Sequence, residues 1–145
     1  MASTKYGNWY DHPEYYDLSL CDETQLEAAF IEAACRKYCN SPVCRLLEPA
    51  CGSGRLVVEM AARGYQVTGL DLNEKALGFL KKQLQRRKLR AEVVRADMTD
   101  FTLSEPEGDV VELCRHFAQR EIATRAPAEV LNSTTRVCRT KNSLA

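Results

Sequence analysis

The chain has 145 residues, the size of one domain with a modest core. Hydrophobic residues make up 45% and charged residues 28%, and the formal net charge is zero. That balance excludes a disordered polar chain and gives no global attraction to nucleic acid or to an anionic membrane. No apolar run nears the roughly 18 residues of a membrane-crossing helix, and the polar, aromatic residues 1–17 lack a signal core. A cytoplasmic protein with no membrane partner is expected.

The charge is unevenly spread: residues 1–113 hold 14 Lys/Arg and 18 Asp/Glu, whereas residues 114–145 hold 6 and 2. Seven cysteines are an odd number that cannot all pair within one chain, which suits free thiols. Cys35, Cys39 and Cys44 lie close in sequence, yet neither a C-x-x-C pair nor a histidine at ligand spacing accompanies them. They read as small buried residues, and no metal is expected.

In chain order, residues 1–21 are rich in aromatics without a period, and read as an arm or lid. A helix is predicted next, with Asp22 as N-cap, Gln25 completing a capping box, and Leu26, Ala29, Phe30 and Ala33 on its apolar face. Pro42 ends it. Residues 43–48 read as a strand, followed by a glycine turn. A helix then starts near Ser53 with Leu56, Val57, Met60 and Ala61 on one face and Gly64 at its C′ position.

Residues 66–70 form a second predicted strand. Asn73 caps a third helix with Ala76, Leu77, Leu80 and Leu84 on its apolar face. Its opposite face is basic, with Lys81, Lys82, Arg86, Arg87 and Lys88, and reads as a solvated face rather than a nucleic-acid contact, because overall charge gives that contact no support. Residues 91–96 are a third strand, and residues 109–113 a short fourth.

Strands alternating with helices imply an α/β fold with a mostly parallel sheet. Ligands in such sheets bind beyond the carboxyl ends of the strands. Three features fall there: the loop 48–54, then Asp71-Leu72, then Asp97-Met98. Gly52 and Gly54 permit close approach to the backbone, and the helix that follows offers unpaired N–H groups. Asp71 can accept both hydroxyls of a ribose. Asp97 can accept from an adenine amino group, with Met98 flanking the ring.

The choice between NAD and S-adenosylmethionine (SAM) turns on two residues. The dinucleotide fingerprint G-x-G-x-x-G has its third glycine where this chain has Val57. Glu48 would repel a pyrophosphate but suits the amino group of a methionine moiety.

Residues 43–101 resemble the first half of a class I, Rossmann-like SAM-dependent methyltransferase. Glu48-Pro49-Ala50-Cys51-Gly52-Ser53-Gly54 resembles the family's motif acidic-x-Gly-x-Gly-x-Gly, with Ala50 in place of the first glycine, a substitution read as sterically mild. Thr68-Gly69-Leu70-Asp71-Leu72 resembles the second motif and Arg95-Ala96-Asp97-Met98 the third. The resemblance implies SAM as cofactor, held by Glu48, Ala50, Cys51, Gly52, Gly54, Asp71, Leu72, Asp97 and Met98. In many members an aromatic N-terminal segment folds over bound SAM. Residues 9–16 read either as such a lid or as cover for the sheet edge, and His12 either as a general base or as a structural residue.

The family's sheet has seven strands, and this sequence supports strands 1–3 or 1–4, an incomplete Rossmann-like sheet. Cys114-Arg115-His116-Phe117 matches no catalytic motif, so the catalytic residues and the methyl acceptor are unknown. Residues 114–145 carry no sustained period and read as an atypical, disordered or truncated tail, leaving residues 22–113 as the SAM-binding half. The fourth strand would then be an exposed edge open to self-association. Three functions are consistent with these residues: a methyltransferase acting on a small molecule or protein, a SAM-binding remnant without catalysis, and an NAD-dependent oxidoreductase, which Val57 disfavours.

Overall fold

The computed structural model describes residues 11–39, 42–101, 110–113 and 135–138. Its elements are α1 (Pro13–Tyr38), β1 (Arg45–Pro49), α2 (Arg55–Ala62), β2 (Gln66–Asp71), α3 (Glu74–Arg87), β3 (Glu92–Arg95), β4 (Val110–Leu113) and β5 (Thr135–Cys138). They form one sheet in the order β3-β2-β1-β4-β5. β1 runs parallel to both β2 and β4, β2 parallel to β3, and β5 antiparallel to β4. Strand order reverses at β1, which has β2 on one side and β4 on the other. The loop leaving β1 therefore stands at the switch point where open α/β sheets bind ligands.

The expected helix faces are the buried ones in α2 and α3. Leu56, Val57 and Met60 of α2 and Leu77, Leu80 and Leu84 of α3 pack with Leu46 and Val67 of the sheet into one core, and Ala76 is buried too. The helix ends follow local chemistry. After α2, Gly64 takes φ +95° and donates to the Ala61 carbonyl, and Tyr65 donates to Met60, closing a Schellman motif. Before α3, the Asn73 side chain accepts from the Lys75 and Ala76 amides at 3.0 and 3.1 Å.

α1 departs from the sequence expectation in two ways. It begins at Pro13, nine residues before the expected Asp22 cap, and so runs through the boundary drawn at residue 21. Pro13 supplies the start, because its fixed φ suits the first helical position and its missing N–H has no intrahelical partner to lose. The apolar face is also reversed: Thr24, Ala28 and Cys35 turn inward, whereas Leu26, Ala29, Phe30 and Ala33 face outward.

Polar contacts dock α1. The Arg55 guanidinium, buried at the start of α2, donates to Thr24 Oγ1 at 2.6 Å and Glu27 Oε2 at 2.7 Å. Arg63 reaches Glu32 at 2.7 Å and Gln25 at 2.9 Å. Partnering the buried Arg55 outweighs burying the Leu26–Phe30 face, because a buried charge without partners costs more than an exposed apolar side chain.

β4 appears where residues 109–113 were expected to form a strand, but it is not the sheet edge. β5 pairs along it, with Val111 opposite Val137 and Leu113 opposite Thr135. The expected open edge on β4 is thus covered. β5 lies in the segment where no period was legible, since four residues of Thr, Arg, Val and Cys amid an Arg- and Thr-rich stretch give little alternation to read.

Candidate functional site

The loop after β1 wraps tightly. Ala50, Gly52 and Gly54 take φ of +53°, +56° and +72°. The Cys51 amide donates to the Leu70 carbonyl and the Gly54 amide to the Cys51 carbonyl, both at 2.9 Å. Gly54 is the N-cap of α2, and the space a Cβ would take is filled by Leu80, whose Cδ1 would lie 2.3 Å away. Beside Gly52 the space is open: an added Cβ would meet nothing within 4 Å.

Ala50 is not the mild replacement the sequence suggested. Its side chain is exposed, but an L-residue at positive φ is strained by crowding of its own Cβ. Ala50→Gly is therefore expected to raise stability by about 0.5–1 kcal/mol, the strain relieved less the extra chain entropy of glycine. Urea unfolding measures this, and an unchanged or lower midpoint would count against the strain.

Asp71, at the end of β2, ties the loop to its own strand. Oδ2 accepts from the Gly52 amide and Oδ1 from the Asn73 amide, each at 2.8 Å. An ionised carboxylate has about four acceptor positions, so two are used and two remain. Glu48 at the end of β1 is 1% exposed.

Cys51 is buried between them. Burial first, then the negative charges of Glu48 and Asp71, push its thiol far above the ordinary range. The thiol stays protonated and serves packing: its Sγ stands 3.1 Å from where a Cβ on Gly69 would sit.

Gly69 also resolves the role of Val57. The dinucleotide fingerprint thins the helix with a third glycine so that it can approach the strand. Here the strand is thinned instead, because a Cβ on Gly69 would lie 2.8 Å from Val57 Cγ2. Close approach is thus achieved with a valine on the helix, and Val57 by itself does not separate the two cofactors.

At the end of β3, the Ala96 amide donates to the Asp71 carbonyl at 3.2 Å, placing the third feature next to the second. Asp97 Oδ1 accepts from Thr99 N at 2.8 Å and Oγ1 at 2.6 Å. These two bonds hold the carboxyl below its usual range. A lowered folded pKa favours the native state above the ordinary carboxylate range, and that contribution fades as pH falls through the lowered value. Leu72 and Met98 stand exposed at 58% and 40%, two large apolar side chains that the core does not use, on neighbouring strand ends.

The structure thus joins Ala50–Gly54 and Asp71 through hydrogen bonds, with Glu48 beneath and Leu72, Asp97 and Met98 alongside. His12 is the N-cap of α1, exposed, with Nδ1 3.6 Å from Glu14. Trp9 and Tyr10 of the expected lid, and Cys114–Phe117, lie outside the described residues. The sequence reading missed Gly69, whose signal was a glycine inside a strand, and the Asn73 amide, for which no residue type gives a signal.

A family model described as a methyltransferase domain matches residues 46–141, spanning the loop, all three strand ends and both later strands. The chain belongs to the class I methyltransferase family. It is similar to a ubiquinone biosynthesis O-methyltransferase from Azoarcus sp. strain BH72, 31% identical over 97 residues, 64% of this chain and 42% of that protein. Among solved structures, the plantazolicin methyltransferase BpumL in complex with SAH aligns over 88% of this chain and 62% of its own, with a TM-score of 0.55 and 14% identity. A SAM-dependent methyltransferase from Clostridium acetobutylicum aligns over 63% and 40%, with a TM-score of 0.51 and 16% identity. Both share the fold of this methyltransferase domain. The chain spans less than half the length of the curated relatives it matches. No helix among the described residues is long and apolar enough to cross a membrane.

Proposed function

We propose that this chain binds SAM at the carboxyl ends of β1, β2 and β3 and serves methyl transfer to a small-molecule acceptor. The observation that carries the reading is Asp71, which braces the glycine loop through the Gly52 amide, accepts from the Asn73 amide with its other oxygen, and has two acceptor positions left for a ribose. The other residues fit the remaining parts of the ligand. The open space at Gly52 admits the methionine moiety against the backbone, and Glu48 suits its amino group. Asp97 suits the adenine amino group, and Leu72 and Met98 the faces of the ring.

Bound SAM supplies a methyl group already activated by the sulfonium. This chain's contribution is to hold that group in line with the acceptor, which converts an encounter into an oriented approach. A small hydroxyl-bearing acceptor is favoured by the similarity to ubiquinone biosynthesis O-methyltransferases and by the absence of net charge for nucleic acid. A cytosolic setting suits the five free cysteines among the described residues.

Calorimetric titration with SAM and with NAD tests the cofactor, and transfer of a labelled methyl to small phenols tests the reaction. Saturable SAM binding without NAD binding is expected. Equal binding of both, or none of SAM, would overturn the proposal. Binding without transfer to any acceptor would leave the cofactor reading intact and remove the enzymatic one.

A further inference from the structure

α1 turns one side to the body and leaves the opposite side exposed. Leu26 is 74% and Phe30 45% exposed, and Ala29 and Ala33 are open beside them. At about 100° per residue, these four share one side of the helix with Asp22, Glu23, Arg36 and Lys37, all exposed. Along the strip the order is acid, apolar, base: two carboxylates, two turns of apolar side chains, then two cations.

That order is self-complementary in one orientation. A two-fold axis between Ala29 and Phe30 sets Leu26 against Ala33 of a second copy, and Ala29 against its Phe30. It also sets Asp22 against Lys37 and Glu23 against Arg36 of that copy, and the symmetry repeats each pair. A parallel arrangement would oppose acids to acids and bases to bases. None of these four charged side chains enters a salt bridge within the described part of the chain. Burying Leu26 and Phe30 provides the attraction, and the ends provide orientation.

We propose that the outward face of α1 is a docking surface for a second copy of this chain, packed antiparallel. It rests on α1 alone and is independent of the cofactor reading. The strip is short, which puts the interface at the small end of specific interfaces and makes the dimer weak and concentration-dependent.

Charge reversal tests it on the full chain by sedimentation velocity over a concentration series. The wild-type chain is expected to move from monomer to dimer with rising concentration, less readily at high salt. The pair Asp22→Lys/Glu23→Lys, and separately Arg36→Glu/Lys37→Glu, should each weaken self-association at least tenfold, because every end then faces like charge. Mixing the two variants should restore dimers, as each supplies the charges the other faces. Circular dichroism verifies that both variants keep the helix. A wild-type monomer at all concentrations would overturn the proposal, as expected if another segment or another protein covers the face. So would a dimer indifferent to the reversals, as expected of pairing through a sheet edge.

Discussion

Asp71→Asn is expected to lower the affinity for SAM about a hundredfold while leaving the chain folded. The replacement keeps the shape and one oxygen, but its amide NH2 cannot accept. Whichever way the amide turns, either the Gly52 or the Asn73 N–H faces a donor instead of an acceptor. One acceptor for the ribose is lost as well. Hydrogen bonds to charged groups are worth roughly 1.5–3 kcal/mol each, so a loss near 3 kcal/mol in binding corresponds to two decades in affinity. Calorimetry on wild type and variant measures it. Affinity within threefold of wild type would remove Asp71 from the site, whereas failure of the wild type itself to bind would fault the cofactor and not the residue.

Gly54→Ala is the substitution with the largest expected effect on stability, a loss of about 2–4 kcal/mol. A left-handed φ strains alanine by about 1 kcal/mol, and driving a Cβ into Leu80 adds roughly 1–3 kcal/mol of overpacking. Leu80 is fully buried, so it has nowhere to retreat. For a chain of this length the melting temperature should fall by about 10 °C. Gly52→Ala is the matched control. It shares the positive φ but meets open space, so it should lose only about 1 kcal/mol of stability. Its methyl group enters the space assigned to the ligand, so its effect falls on SAM binding. Equal destabilisation by the two would contradict the packing described around Gly54.

The central elements were legible because local chemistry and burial agree there. Val57, Met60, Leu77, Leu80 and Leu84 recur at helical spacing and are buried, and Asn73 and Gly64 mark ends that the backbone obeys. The turn after β1 was legible for a related reason: Gly52 and Gly54 are the residue type that takes positive φ without strain, and both do so.

α1 was misread because its apolar periodicity belongs to a face the chain does not bury. What docks it, beside the small Ala28 and Cys35, is Arg55 of α2 and Arg63 just beyond that helix, and long-range pairs such as Arg55 with Glu27 leave no periodic trace in sequence. Ala50 illustrates the same limit, since residue type gives volume but not φ. β5 was illegible because four residues carry too few alternations to detect.

The bond from the Gly52 amide to Asp71 has a consequence for how a ligand leaves. It makes the turn that would meet the methionine end and the carboxylate that would meet the ribose one mechanical piece. Engaging either end steadies the partner group at the other, and reciprocity requires the influence to run equally both ways. Adenosine and methionine, offered as separate fragments, should each tighten the hold on the other. The whole molecule should then dissociate in a single step, without pausing half-released.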